Sequence, residues 1–175
     1  PGNEIRESTL FLDREMAGSM NLIVKVEGDL KDPEVLNKMV DIQNYISKFP
    51  TVNTTFSIAD VIKEMHKSIM DNDPKFETIP ETRGKINNLF TMYSMSGDPD
   101  DFEALVNYEY ETGLITAMMQ SVSTKEIVIM ADQIKAYIEE MGSEEFTTET
   151  SGMMMFLKDF TNLVVQSSIN SIILS

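Results

Sequence analysis

The chain has 175 residues, no cysteine and a single histidine, and its 29 acidic against 14 basic residues leave a formal net charge of −15. That balance argues against nucleic acid, which needs a basic footprint, and against docking on anionic lipid headgroups; the lack of cysteine excludes disulfides and thiol chemistry. The length suits one domain with an adequate core.

Residues Ile5 to Met16 set Leu10, Phe11, Leu12 and Met16 among charges and predict a short amphipathic helix leading to Ala17-Gly18-Ser19. Leu22, Val24 and Val26 then alternate with Ile23, Lys25 and Glu27, the period of two expected of a strand with one apolar face. Gly28 ends the strand, and Asp32-Pro33-Glu34 opens a helix with an N-cap, a proline at the first position and an acid in the first turn. Val35, Met39, Ile42, Ile46 and Phe49 follow at spacings of 4, 3, 4 and 3, Pro50 stops the helix, and Val52 to Phe56 is the return strand.

Ser57 can cap a helix carrying Ile58, Val61, Ile62, Met65 and Ile69, which Asp71-Asn72-Asp73-Pro74 breaks. Another helix is expected from Thr78-Ile79-Pro80-Glu81, with Ile86, Leu89, Phe90 and Tyr93 on one side and Gly84 weakening its first half. Gly97-Asp98-Pro99 closes it and begins a short helical turn through Leu105, after which Val106 to Tyr108 is expected to pair with Gly113 to Gln120 across a tight turn.

Adding 92 to the numbers of the first half gives a second copy of the same plan. Leu22, Val24 and Val26 map to Leu114, Thr116 and Met118, and the helical stripe to Ile127, Ala131, Ile134, Ile138 and Met141. Ser123-Thr124-Lys125-Glu126 supplies a capping box, Gly142 ends the helix, and Phe146 to Thr150 returns as a strand. The pattern predicts an α+β, ferredoxin-like fold: one domain over 1–175, with a first βαβ-type half at 20–56, a helical insertion at 57–105, a second half at 106–152, and a last helix at 153–175. That tail is apolar from Met153 to Leu157 and through Phe160, Leu163, Val164, Val165, Ile169 and Ile172 to Leu174, with only Lys158 and Asp159 charged after Glu149. Ile169 to Ser175 is too short to span a bilayer, which takes roughly 20 apolar residues, and no signal segment is present.

Candidate chemistry is sparse. His66 is the only histidine and cannot form a multi-histidine metal site; Asp71-Asn72-Asp73 and Asp98-Pro99-Asp100-Asp101 lack the glycine and terminal glutamate of a calcium loop. Glu109 and Glu111 alternate with Tyr108 and Tyr110 and are expected on one sheet face, as a solvated hairpin rather than an acid–base pair. The 14 methionines read first as core filler, with Met118 and Met119 facing opposite sides of a strand. Met118-Met119 and Met153-Met154-Met155 could otherwise offer an adaptable apolar surface or thioethers for Cu(I). No Gly-rich phosphate loop or nucleophile elbow occurs, so neither a cofactor nor an enzyme is expected.

Several segments together resemble the first extracytoplasmic domain of transporters of the resistance–nodulation–division superfamily, in the branch holding the mycobacterial large membrane proteins and the hopanoid transporters. They are Met16-Ala17-Gly18-Ser19, Leu22 to Asp29, Asp32 to Leu36, Phe49-Pro50-Thr51-Val52 with Ser57-Ile58-Ala59-Asp60, Met95 to Pro99, and Ser151-Gly152 with the apolar helix behind them. Met16-Ala17 stands where the family usually shows Phe-Gly. The resemblance implies a domain on the outer (periplasmic or extracellular) face of a cell membrane, between two membrane helices of the same full-length chain. It would explain a chain that opens on Pro-Gly rather than methionine, with Ser167 to Ser175 leading toward the second helix. It further implies proton-coupled export of hydrophobic or amphiphilic molecules, often lipids. No motif of the family assigns a site residue here; Phe90, Tyr93, Met118 and Met119, as aromatic and Met-lined surfaces, are our own candidates for the substrate path, with one half expected to move against the other. A homo-oligomer is left open, and a free-standing ligand-binding or regulatory module of the same fold is the alternative.

Overall fold

The computed structural model describes residues 18–96 and 104–173. The helix expected over Ile5–Met16 and the Gly97-Asp98-Pro99 break with its acidic run lie outside them, as do the last two residues.

Strand β1 (Met20–Glu27) buries Met20, Leu22, Val24 and Val26 and leaves the alternating residues on its other face, as its period requires. Helix α1 (Pro33–Ile46) starts where the Asp32 carboxylate accepts from the Glu34 amide at 2.8 Å and Pro33 pre-sets the first turn. It ends at Ile46 rather than at Phe49. The Ser47 amide still closes onto the Gln43 carbonyl, and Phe49, in the turn beyond, sets its ring edge-on to Tyr45. Strand β2 (Val52–Ser57) leads directly into α2 (Ile58–Ile69). There Ser57 and Asp60 form a reciprocal capping box: Ser57 Oγ accepts from the Ala59 amide at 3.1 Å and Asp60 from the Ser57 amide at 3.0 Å.

A turn at Asp71 and Asn72, both with φ of 58°, and a 3-10 turn (Pro74–Phe76) connect to α3 (Arg83–Ser96). Pro80 delays this helix beyond the expected start at Thr78–Glu81, although Ile79 already reaches the core. Val106 makes one bridge to Gly113 rather than a paired strand; the chain turns at Asn107–Glu111, with Tyr110 at φ 62°. Strand β3 (Thr112–Met119), helix α4 (Thr124–Met141, capped by Ser123 and Glu126), strand β4 (Thr147–Ser151) and helix α5 (Met153–Ile173) complete the chain.

The sheet is antiparallel throughout, in the order β2-β3-β1-β4. Each half therefore contributes two strands that are not neighbours, and the second half's β3 sits between β1 and β2. This is the ferredoxin-like α+β arrangement. Helices α1 and α4 bury Leu36, Met39, Ile42 and Ile46, and Ile127, Ala131, Ile134 and Ile138, against the core. Tyr45 and Tyr137 stack at 3.8 Å between them. The 92-residue equivalence fails by one position in β3. Gly113, Ile115, Ala117 and Met119 face the helices, whereas Leu114, Thr116 and Met118 lie on the opposite, half-buried face.

Candidate functional site

The four expected path residues do not share one surface. Phe90, on α3, is buried and packs its ring against Tyr110 at a centroid distance of 4.6 Å. Tyr93, one turn further along, is half-buried against the same core, and Met119 is fully buried beneath the helices. Met118 alone lies on the open sheet face, between Thr54 of β2 and Asn21 of β1, with the exposed Phe56 nearby on β2. Met118 and Met119 thus face opposite sides of the strand. Met153, Met154 and Met155 also diverge, one exposed, one buried and one half-buried.

The open sheet face cannot be the seam of a movement between halves. Eight paired positions join β1 to β3, and five residues of β2 pair with the same strand from its other edge. Sliding the halves apart would break those ladders, each of whose buried backbone groups needs its partner.

Glu109 and Glu111 stand in a turn, not on a strand face. With Glu27, Asp29, Lys31 and Arg83 they border a wide polar cleft of about 510 Å³ at the end of the sheet. Its charges are largely engaged: Arg83 pairs with Asp29, Lys31 lies over the Tyr110 ring, and Glu109 accepts from Asn107 Nδ2 at 3.0 Å. The hydrogen bond from Lys25, reinforced by Thr147, holds the Glu27 carboxyl below the usual carboxylate range. No group of three or more potential metal-ligating side chains is gathered among the described residues.

Ser57 is likewise engaged. Its hydroxyl donates to Gln43 Oε1 at 2.8 Å and accepts from Ala59, while Gln43 Nε2 donates to Asp60 at 2.6 Å. This buried network clamps α1 to the start of α2.

A largely apolar cavity lies in the helical insertion and was not anticipated. It has a volume of about 230 Å³, between the C-terminal end of α2 and the first turns of α3, and is bordered by His66, Ile69, Phe76, Lys85, Leu89 and Met92. His66 Nδ1 lies 2.9 Å from the Thr78 carbonyl oxygen, which can only accept, so Nδ1 carries the proton of that bond. Every fully buried side-chain nitrogen and oxygen among the described residues has a partner. Nε2, for which no protein partner is found, therefore reaches open space, and this cavity is the space the ring borders.

Helix α5 has two different sides. Met154, Lys158 and Thr161 face the domain, and Lys158 pairs with Asp132 of α4 at 2.6 Å. Phe156, Phe160, Leu163 and Val164, at i, i+4, i+7 and i+8, are exposed on the opposite side. No helix among the described residues is long and apolar enough to cross a membrane. In comparisons with protein-family models and with curated proteins, no match to this chain was found.

Proposed function

We propose that this chain is the extracytoplasmic domain of a proton-coupled membrane exporter of hydrophobic or amphiphilic molecules, contributing to the substrate path rather than to chemistry. One observation carries the reading. The segment leading into β1 and the helix leaving β4 depart from a single corner of the fold: Ile23 pairs with Ser151, and Asn21 Oδ1 accepts from the Met153 amide at 2.9 Å. A domain inserted between two neighbouring membrane helices needs such adjacent ends. The exposed apolar stripe of α5 suits a helix that runs toward a bilayer or a membrane-embedded partner rather than water. The membrane helices of the full-length chain would carry the proton, and a lipid-like molecule would be the cargo.

These 175 residues hold no cysteine, so one placed among them reports on this domain once any cysteine elsewhere in the full-length protein has been replaced. A cysteine introduced at exposed Lys125 of the full-length protein should react with a membrane-impermeant maleimide on intact cells, and vesicles containing that protein should move a fluorescent lipid when a proton gradient is imposed. Reaction only after lysis, with the protein in the soluble fraction, would overturn the reading in favour of a free-standing ligand-binding or regulatory module.

A further inference from the structure

We propose that the cavity between α2 and α3 is a binding site for a medium-chain alkyl carboxylate, held with its chain against Ile69, Met70, Phe76, Leu89 and Met92 and its carboxylate at Lys85 and Asn88. Size comes first. At about 230 Å³ the cavity is larger than the roughly 150 Å³ that accommodates benzene and smaller than the roughly 300–1,000 Å³ of sites for drug-sized ligands, so it takes one short chain rather than a sterol or a two-chain lipid. The lining comes next. Ile69, Met70 and Met92 are exposed although apolar, and all three converge here rather than being scattered over the surface.

The polar groups decide the head group. Lys85 decides the sign. Among the described residues every other cation except Lys125 has a carboxylate or an aromatic ring as partner, whereas Lys85 has neither and stands at the cavity. On a chain of net charge −15 an anion is repelled over most of the surface, and an uncompensated ammonium beside an apolar slot is where an anionic amphiphile gains both contacts. The inference is independent of the exporter reading, since it concerns the 175-residue chain alone.

Octanoate is the probe, with octanol as its uncharged counterpart, titrated into the 175-residue chain and followed through the methionine methyl resonances. The Met70 and Met92 methyls should shift saturably while those of Met118 and Met154 stay in place. Lys85→Glu, at an exposed position that folding does not need, should weaken octanoate roughly tenfold or more and leave octanol unchanged, as expected for loss of one charge-assisted contact. Met92→Trp, at the exposed rim, should block both ligands. Shifts that fail to saturate, or that appear equally at Met118, would overturn the site; equal octanoate binding by Lys85→Glu would overturn the carboxylate.

Discussion

Single residues hold two junctions of this fold. Gly152 links β4 to α5 at φ 101°, and a Cβ there would stand 2.8 Å from the Asn21 carbonyl oxygen. Both the dihedral and the contact oppose any side chain, and the obstacle is backbone that β1 holds in place. Gly152→Ala should therefore destabilise the chain by about 2 kcal/mol or more, read as a lower midpoint in urea. A midpoint equal to that of the parent would show that the corner can relax. Ser57 is the second case. Its hydroxyl both caps α2 and satisfies Gln43, and neither residue is open to solvent. Ser57→Ala removes the cap and strands a buried amide oxygen, a combined cost of about 2–3 kcal/mol, whereas Ser57→Thr should retain the cap. A loss under about 0.5 kcal/mol for the alanine variant would mean that water replaces the hydroxyl.

Elements were legible in the sequence where one face was apolar and the ends were chemically marked. The alternation in β1 and the caps at Asp32, Ser57 and Ser123 are such marks, and each appears in the structure as read. Strand β3 lacked them: Leu114 and Met118 on one face and Ile115 and Met119 on the other are equally apolar, so periodicity could not choose the inward side. The cavity beneath α2 and α3 was illegible for a different reason. Its lining comes from two helices and the turn between them, and Ile69 and Leu89 each look like part of an ordinary core stripe until the helices are placed. The tail helix was legible as apolar but not in its docking, which rests on Lys158 and Asp132. Lys158 is nearly buried and Asp132 mostly exposed, so the two deletions should differ. Asp132→Ala leaves an ammonium with little solvent and should cost about 1–2 kcal/mol, while Lys158→Met keeps the packing and should cost under about 0.5 kcal/mol. Equal costs would mean that Lys158 reaches water freely. The capping box of α4 adds a pH dependence. Hydrogen bonds from the Ser123 hydroxyl and amide hold the Glu126 carboxyl below its ordinary value of 4.5. A depressed value in the folded state stabilises above the unfolded pKa, and that stability is lost as pH falls through the folded one. Glu126→Gln should thus melt below the parent at about pH 7, with the gap closing toward about pH 3; a gap independent of pH would place the effect in packing instead.

At the scale of the whole molecule, the repeat visible in the sequence and the sheet observed in space say different things about independence. A chain that repeats one plan after 92 residues suggests two units, each able to stand alone. The strand order removes that independence, because β1 and β2 are separated by β3, while β3 and β4 are separated by β1. Neither half owns a single strand pair. A fragment of residues 18–96 has two strands with no ladder between them and leaves Leu22, Val24 and Val26 without Ile115 and Ala117; a fragment of residues 104–173 is equally incomplete. Each fragment alone should lack dispersed amide resonances, and mixing the two should restore the spectrum of the intact chain, since the β1–β3 pairing reforms the centre of the sheet without needing the covalent link. Independent folding of either fragment would require a strand pairing absent from this structure. Failure to reassemble would show that the β1–β3 pairing alone does not hold the two fragments together. The same interlocking bears on export. If cargo moves past this domain, the sheet stays whole while it does so, and the parts free to respond are those attached to it at one side: the insertion helices around the cavity, and α5 beyond its Lys158 anchor.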